Sequence, residues 1–298
     1  MRWQTYPKIL KNLYNEDPEI SSLTFVDIAV YREANSNITA SRVFLDQPLT
    51  EVPIPNPIYD FKQCFRNYPD LLAEIQKQGF AKPSPMQSQA WPVLLKGEDL
   101  IGIAQSGAGK TLAFLLPSLI HTEFQPRPRC GPNVLIMTPT SELAQKIKKE
   151  VGKYNFRDMT AVCVYGSSVR KDQIETTASG VEIIIATPGR LNDLLEDKGY
   201  DVGSITYLVL DDADCMLDMG FEQQVRKFLL LVRPDRQTVI TTATWSPGVR
   251  RLAERYIINP IQVCIDNSLD LAAIHLVKQR IEVMDEKQKL CRVSASKF

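Results

Sequence analysis

Short apolar segments alternate with amphipathic segments along the chain from Tyr68 onward. The apolar segments contain few polar positions, which is typical of parallel strands buried on both faces. They predict strands over Leu100–Ala104, Val134–Met137, Ala161–Val164, Val181–Ala186, Tyr207–Leu210 and Thr238–Thr241. The intervening segments predict helices over Leu71–Gln78, Met86–Leu95, Thr111–Ile120, Glu142–Tyr154, Leu191–Glu196, Glu222–Leu231 and Val249–Tyr256. This alternation predicts an α/β fold, a doubly wound and mostly parallel sheet with helices on both faces.

The N-terminal region has a weaker pattern, which predicts short helices near Lys8–Tyr14 and around Val26–Ala34. The alternating prolines of VPIPNP, residues 52–57, favour an extended tether because proline fixes φ and blocks helix. We therefore divide the chain into an N-terminal extension (residues 1–52), an α/β domain (53–270) and a C-terminal segment (271–298). A further edge strand is expected near Val277–Val283.

Composition excludes several classes of protein. The chain is 44% hydrophobic, so it can bury a core, and its 35 Lys and Arg balance its 35 Asp and Glu, so no net charge indicates a nucleic-acid partner. Six scattered cysteines lack the paired spacing of a zinc site and favour reduced thiols. No window approaches the ~18 apolar residues of a membrane span, and no signal peptide is visible. We expect an intracellular protein, cytoplasmic or nuclear, with no membrane partner.

A glycine-rich turn follows the first predicted strand, in LIGIAQSGAGKT (residues 100–111). Such a turn can direct backbone N–H groups and a helix N-terminus at a phosphate, which predicts a P-loop. Lys110 is then expected to reach the β and γ phosphates and Thr111 to bind Mg²⁺. The alternative is a chance glycine-rich turn between strand and helix. The predicted nucleotide-binding residues here are Ala104, Gln105, Ser106, Gly107, Ala108, Gly109, Lys110 and Thr111.

An acidic segment, DDAD, follows the strand predicted over Tyr207–Leu210. A carboxylate at the C-terminal tip of a buried strand is where the magnesium-binding acid of a P-loop protein belongs. Asp211 is predicted to hold Mg²⁺ through its water shell, and Asp212 to lie next to the attacking water. The alternative is an acidic loop that caps the next helix. The predicted catalytic residues are Lys110, Asp211 and Asp212, and the predicted cofactors are ATP and Mg²⁺.

Further segments make the chain similar to the DEAD-box RNA helicases, in the branch related to members that carry a KH domain. GFAKPSPMQ (79–87) resembles the Q motif, PTSELA (139–144) motif Ia, TPGR (187–190) motif Ib, and TAT (242–244) motif III. The resemblance runs from about Pro53 to Ile281. It implies a RecA-like P-loop NTPase fold for residues 53–270, and makes residues 271–298 the start of a linker to a second RecA-like domain that the chain lacks.

The resemblance also assigns roles to residues around the P-loop. It implies that Gln87 reads the adenine edge, that Phe61 stacks on the adenine ring and that Lys82 joins the nucleotide site. An amide that both donates and accepts can distinguish adenine from guanine. An alternative for the Q-motif segment is that Pro83 and Pro85 set the start of a helix, which is compatible with the first role.

An RNA-binding surface is implied in the same way. Backbone N–H groups at helix starts bind phosphates, so the expected partner is the RNA backbone, independent of base sequence. The alternative for Arg190 is a surface ion pair with Asp193. The implied RNA-binding residues are Pro139, Thr140, Gly166, Thr187, Pro188, Gly189 and Arg190. The implied coupling residues between the nucleotide and RNA sites are Asp214, Thr242 and Thr244.

The chain departs from the family pattern at several positions. Asp212 replaces the catalytic glutamate and is one methylene shorter, which predicts ATP binding with slow hydrolysis. Ser141 replaces an arginine and Ser167 a glycine, which predicts weaker RNA binding, and Thr242 replaces a serine with little consequence. The resemblance also implies that Phe298 lies close to where the family's second RecA-like domain, which carries the arginine finger, would begin.

These observations favour an ATP-dependent RNA helicase, or RNA-stimulated ATPase, that unwinds or remodels RNA. A second RecA-like domain acting in trans is an expected partner. The alternative is a catalytically weak, ATP-gated module that binds RNA or a protein partner without unwinding. A third reading, an unrelated P-loop kinase or transporter ATPase, is disfavoured by the Q-motif and TPGR segments.

Overall fold

The computed structural model describes residues 3, 6–44, 52–126, 131–166, 180–196 and 202–266. Its strands are β1 (Thr39–Arg42), β2 (Leu100–Ile103), β3 (Val134–Met137), β4 (Ala161–Val164), β5 (Ile183–Ala186), β6 (Tyr207–Leu210), β7 (Gln237–Thr242) and β8 (Ile261–Cys264). They form an eight-stranded sheet in the order β1-β8-β2-β7-β6-β3-β5-β4. Every neighbouring pair is parallel except β1 and β8. The predicted doubly wound, mostly parallel fold is confirmed.

Helices cover both faces of this sheet. Those of the described residues are α1 (Pro18–Ser21), α2 (Phe25–Ala34), α3 (Lys62–Phe65), α4 (Pro69–Lys77), α5 (Pro85–Leu95), α6 (Lys110–Phe124), α7 (Ser141–Val151), α8 (Pro188–Glu196), α9 (Ala213–Asp218), α10 (Glu222–Leu229) and α11 (Pro247–Tyr256). Each predicted helix of the main domain is present within a few residues of its expected bounds. None of these helices is long and apolar enough to cross a membrane.

The core lies in two layers, one on each face of the sheet. Successive residues of β3 alternate between them, since Val134 and Ile136 join one hydrophobic cluster, whereas Leu135 and Met137 join the other. All four side chains are fully buried. This alternation explains why the central strands are continuously apolar in sequence, because a strand covered on both faces has no solvent-facing positions.

The segment before α1 corrects one expectation, because the helix predicted near Lys8–Tyr14 does not form. The backbone of this segment instead bonds to the main domain. The N–H of Leu10 donates to the side chain of Gln125 at 3.2 Å, and the N–H of Leu13 donates to the carbonyl of Leu95 at 2.7 Å. A short helix is marginal in water, so these tertiary bonds prevail over the local preference.

Residues 17–44 also pack onto the main domain. The helix predicted around Val26–Ala34 is confirmed as α2, and it leads into β1, which pairs antiparallel with β8 and closes one edge of the sheet. Neither β1 nor β8 was expected. Residues 52–57 form neither helix nor strand, as expected for the proline-rich tether. Ser167, the expected strand near Val277–Val283 and the whole of residues 271–298 lie outside the described residues.

Candidate nucleotide and RNA site

The glycine-rich turn between β2 and α6 has the backbone of a phosphate-binding loop. Gly107 and Gly109 have φ angles of 87° and 85°, a left-handed region that side chains rarely adopt. A Cβ on Gly109 would also lie 2.5 Å from the Ser84 hydroxyl and 2.7 Å from the Gln87 amide nitrogen. Glycine at 109 is therefore required both by its φ angle and by the close approach of the Q-motif segment.

Lys110, the first residue of α6, is directed back into this loop. Its ammonium donates to the carbonyl of Ala104 at 2.9 Å and lies 3.2 Å from Oδ1 of Asp212. The side chain is almost fully buried, so the partners offset much of the cost of removing its charge from water. The structure therefore brings together Lys110 and Asp212, although about a hundred residues separate them in sequence.

The two acidic residues at the end of β6 differ in environment. Asp211 is 3% exposed, and burial together with the adjacent Asp212 charge raises its pKa to about 6. Asp212 is partly exposed and adopts the left-handed conformation, with φ 52° and ψ 56°. Its side chain makes no capping hydrogen bond to α9, so the alternative of a helix cap does not account for this aspartate.

Thr241 is a residue of this site that the sequence did not reveal. Its hydroxyl donates to the carboxylate of Asp211 and accepts from the backbone N–H of Asp212 at 3.3 Å. Thr241 and Asp211 lie one position beyond Leu210 and Ile240, which are paired across β6 and β7. The contact could have been predicted only from the knowledge that β6 and β7 are neighbours and that Leu210 pairs with Ile240.

The predicted coupling residues form a hydrogen-bonded cluster between β6 and β7. The Oδ2 atom of Asp214 accepts from the backbone N–H groups of Ala243 and Thr244, at 3.2 and 2.9 Å, and from the Thr244 hydroxyl at 2.9 Å. The Thr242 hydroxyl donates to the carbonyl of Thr244 at 2.8 Å. The acidic segment after β6 is thus tied to the turn after β7.

The start of α5 is joined to the phosphate-binding loop. Ser84 and Gln87 form a reciprocal capping box, and Pro85 is the first helical residue, which confirms the helix start predicted from the prolines. The Ser84 hydroxyl donates to the carbonyl of Ala108 at 2.9 Å, and the Gln87 amide donates to that of Gly109 at 3.2 Å. Gln87 therefore supports the loop directly in this structure.

Two further residues expected at the nucleotide site, Phe61 and Lys82, have contrasting positions. Phe61 is 7% exposed, and its ring lies 5.9 Å from that of Trp91, whose indole N–H donates to the carbonyl of Leu112 in α6 at 3.0 Å. This aromatic pair belongs to the core cluster on one face of the sheet. Lys82, by contrast, is exposed to solvent.

The residues expected to bind RNA lie at the C-terminal ends of β3, β4 and β5. Thr140 is the N-cap of α7 and accepts from the N–H of Leu143 at 3.3 Å. Thr187 follows β5 and donates its N–H to the carbonyl of Val164 at 3.1 Å, and Gly166 follows β4 and is exposed. Of the others in this set, Pro139 and Pro188 are buried, and Gly189 and Arg190 are half-buried.

The order of strands divides these groups into two adjacent halves. Groups expected to hold nucleotide and Mg²⁺ follow β2 and β6, and the expected coupling residues follow β6 and β7, which lies between those two strands. Groups expected to hold RNA follow β3, β5 and β4, which are also contiguous. Both sets lie at the C-terminal edge of a parallel sheet, where ligands bind in open α/β folds. The cluster around Asp214 lies just past the ends of β6 and β7, and β6 is the neighbour of the RNA-side strand β3.

The residues present fit ATP and Mg²⁺ by their chemistry. A loop of left-handed glycines at a helix N-terminus suits a phosphate, and a buried lysine at its end suits the same charge. The hydroxyl of Thr111 and the carboxylate of Asp211 are oxygen donors, which Mg²⁺ prefers to nitrogen or sulfur.

Comparison with known proteins gives close relatives. The sequence model of the DEAD/DEAH box helicase family matches residues 84–252. The chain is 48% identical over 291 residues to a human protein described as probable ATP-dependent RNA helicase DDX43, covering 97% of this chain and 44% of that protein. It is 43% identical to the ATP-dependent RNA helicase DBP2 of Debaryomyces hansenii, covering 96% of this chain and 52% of the relative. The chain thus spans about half the length of these relatives.

Solved structures give the same result. The yeast DEAD-box splicing factor Prp28 superposes with a TM-score of 0.73 at 31% identity, over 83% of this chain and 57% of that one. The RNA helicase Prp28 of Chaetomium thermophilum bound to ADP gives a TM-score of 0.72 at 31% identity, over 94% and 64%. The matched family segment contains the P-loop, the DDAD segment and the cluster around Asp214, so this chain belongs to the DEAD/DEAH box helicase family.

Proposed function

We propose that this chain binds ATP with Mg²⁺ at the P-loop, binds the RNA backbone along the ends of β3, β5 and β4, and acts as an ATP-dependent RNA helicase that unwinds or remodels RNA. The observation that carries the proposal is the convergence of Lys110, Asp211 and Asp212 at the ends of β2 and β6, with Lys110 Nζ 3.2 Å from Asp212. A buried cation between a phosphate-binding loop and two carboxylates is suited to phosphoryl transfer.

Each residue has a distinct role in this proposal. Lys110 exchanges its contacts with Ala104 and Asp212 for phosphate oxygens. Thr111 and Asp211 hold Mg²⁺, which, when bound, neutralises charge on the phosphates. Asp212, released from Lys110, orients the attacking water. Catalysis of this kind depends on positioning and electrostatic stabilisation.

Recognition of the base falls to the Q-motif segment. The amide nitrogen of Gln87 donates one hydrogen to the carbonyl of Gly109, and its amide oxygen accepts from the backbone N–H of Ser84. The amide keeps a second hydrogen and a second lone pair, which can bond to adenine. Lys82 is an exposed residue of this segment and can approach the nucleotide. We also assign Phe61 to the adenine site, as the resemblance implies, and its ring packs against that of Trp91 in the core.

RNA is held through its phosphates. The N-termini of α7 and α8 present backbone to the ligand, Gly166 does so at the end of the edge strand β4 beside β5, and Arg190 adds a cation. Ser141 stands in the first turn of α7 and supplies no charge, so the affinity depends less on salt than with arginine there. Contacts of this type carry no base information, so binding is independent of sequence.

Unwinding requires more than these residues. A second RecA-like domain, contributed in trans if not by the same polypeptide, adds a cation to the γ-phosphate and the other half of the RNA surface; an arginine supplied this way contributes ~10³ to 10⁵ in rate. We propose that the protein performs this work inside the cell, in the cytoplasm or the nucleus.

The test is single-turnover hydrolysis of ATP by this chain with Mg²⁺, with and without single-stranded RNA. Lys110→Ala is the blank, and Lys77→Ala, an exposed lysine of α4, is the matched control. RNA-stimulated hydrolysis in the wild type and Lys77→Ala, but not in Lys110→Ala, supports the proposal. Nucleotide binding without hydrolysis at any RNA concentration favours the ATP-gated binding module instead. If neither the wild type nor Lys77→Ala binds nucleotide, the helicase proposal and the binding-module alternative are both contradicted.

A further inference from the structure

The hydroxyl of Thr241 connects the two acidic residues of the site. It donates to the Asp211 carboxylate and accepts the backbone N–H of Asp212 at 3.3 Å, so a single atom contacts both. A threonine hydroxyl can do both at once because it has one hydrogen and two lone pairs. The Thr241 side chain is 2% exposed and Asp211 is 3% exposed, so water cannot readily replace this bond.

Besides Thr241, the backbone N–H of Asp212 bonds to the Asp211 carboxylate, whereas other side chains nearby are engaged elsewhere. The Lys110 ammonium contacts Ala104 and Asp212, and the Thr242 hydroxyl donates to the carbonyl of Thr244. Neither of them fixes the orientation of the Asp211 carboxylate. The hydroxyl of Thr241 lies outside the TAT triplet and is the side-chain group that holds this carboxylate.

We propose that Thr241 is a positioning residue for the magnesium site, which holds the Asp211 carboxylate in one orientation and anchors the left-handed backbone at Asp212. This inference rests on the proposed function of the site. A carboxylate held in one rotamer loses less freedom when the ion binds, so Thr241 increases the affinity for Mg²⁺ through Asp211. The same hydroxyl determines where the Asp212 side chain begins, because it bonds to the N–H of that residue.

The chain offers matched variants for a test. Thr241→Val removes the hydroxyl and keeps the shape, whereas Thr241→Ser keeps the hydroxyl and removes a methyl. Thr238→Val is the control, because Thr238 is an equally buried threonine of β7 whose backbone N–H bonds to Asp99, away from the site.

The measurement is the binding of a fluorescent ATP analogue as Mg²⁺ is titrated, with each variant's melting temperature determined in parallel. In Thr241→Val the Mg²⁺ concentration at half-saturation should rise about tenfold, as expected for losing a hydrogen bond to a charged group, while binding in EDTA stays unchanged. Thr241→Ser should stay within about twofold of the wild type, and Thr238→Val should not shift.

Two results would overturn the proposal: an unshifted Mg²⁺ dependence in Thr241→Val, or an equal shift in Thr241→Ser, which would assign the effect to packing. If Thr241→Val does not fold, Thr241→Cys replaces it, because cysteine keeps the volume with only a weak donor and should also shift. Wild-type binding that ignores Mg²⁺ would contradict the proposed function itself, and the inference with it.

Discussion

The backbone conformation of Asp212 and its ion pair with Lys110 both suit aspartate better than glutamate. It adopts a left-handed backbone conformation, which aspartate tolerates better than longer side chains, and its carboxylate lies 3.2 Å from Lys110 Nζ. The short side chain keeps the carboxylate close to the lysine rather than extended toward the ligand. The residue therefore favours the closed ion pair over the geometry of water activation.

Asp212→Glu should raise the rate of single-turnover ATP hydrolysis in the presence of RNA. The added methylene moves the carboxylate by about 1 Å toward the attacking water, and a misplacement of that size costs ~100-fold in rate, so a gain of one to two orders of magnitude is expected. Asp218→Glu, at the exposed end of α9, is the control and should leave the rate unchanged. An unaltered rate in Asp212→Glu would show that side-chain length does not limit hydrolysis.

Gly109→Ala should damage the phosphate-binding loop more than Gly107→Ala does. Both residues have positive φ, but only the Cβ at 109 meets Ser84 and Gln87, whereas that at 107 has nothing within 4 Å. We expect Gly109→Ala to lose at least about tenfold in nucleotide affinity and about 1–3 kcal/mol in the free energy of unfolding. Titration of the nucleotide and urea denaturation check both, and equal losses in the two variants would contradict the steric argument.

Among the elements, α2 is joined to the Q-motif helix α5 by buried polar contacts. Arg32 donates two hydrogen bonds to the amide oxygen of Gln89, at 3.1 and 2.8 Å, and the Gln89 amide donates to the carbonyl of Pro55 at 2.8 Å. Gln89 is fully buried, so its oxygen depends on Arg32 for partners. The N-terminal helix thereby contributes to holding the element that carries Gln87.

Arg32→Met should lower the free energy of unfolding by about 1–3 kcal/mol, because it leaves a buried amide oxygen without its donors. Adding Gln89→Leu to Arg32→Met should recover part of this loss, since the unsatisfied oxygen is then removed. Urea denaturation of the single and double variants gives the coupling. Glu33→Ala, exposed on the same helix, should have little effect, and strict additivity of the two changes would contradict the link.

The elements that sequence could predict are those with a strong local signal. Central strands such as Val134–Met137 are apolar throughout because both faces are covered, and the P-loop and DDAD segments are each contiguous. Strand β1 is TASR, half-exposed at the edge, and has no such run. The contact of Thr241 with Asp211 could not be predicted, because it depends on the adjacency of β6 and β7, and the segment near Lys8 was mispredicted because its bonds are tertiary.

For the whole molecule, two buried titratable groups give opposite dependences of stability on pH. Burial, with a lesser effect of Lys11, lowers the pKa of His121 to about 3, and its Nε2 lies 2.8 Å from the Thr206 hydroxyl. Burial raises the pKa of Asp99 to about 6, although the hydrogen bond from the N–H of Thr238 acts to lower it. At a pH of about 5, between the folded and unfolded pKa values of both groups, folding therefore releases a proton from His121 and binds one at Asp99.

His121→Gln should become more stable relative to the wild type as the pH falls. The contribution of neutral His121 is complete above pH ~6.5 and is lost on the way to pH 3, and at pH 5 the loss is already about 2 kcal/mol. The free energy of unfolding from urea denaturation at pH 7 and pH 5 measures this difference. A difference between the two proteins that does not change with pH would contradict it.

Asp99→Asn should show the reverse behaviour. A raised carboxyl pKa contributes stability below pH ~4 that is lost as the pH rises through 6, so the wild type should gain stability relative to Asp99→Asn on acidification. The asparagine oxygen can still accept from Thr238, which limits other changes. The two effects oppose each other in the wild type. Its free energy of unfolding should therefore change less on mild acidification than that of a variant that keeps only one of the two groups.

The pairing of β1 with β8 has a consequence for how the protein is made. Thr39 pairs with Cys264, so β1, the first strand of the described residues, must wait for β8, which is synthesised more than two hundred residues later. At ~5–20 residues per second, the wait is on the order of ten seconds or more on the ribosome. During that time β1 has no partner strand, and Ile38, which is buried in the folded protein, has no apolar surface to pack against. An unpaired strand is a template for association with other chains. The interval between the synthesis of β1 and that of β8 is therefore the stage at which binding of a chaperone to the nascent chain would do most to prevent association.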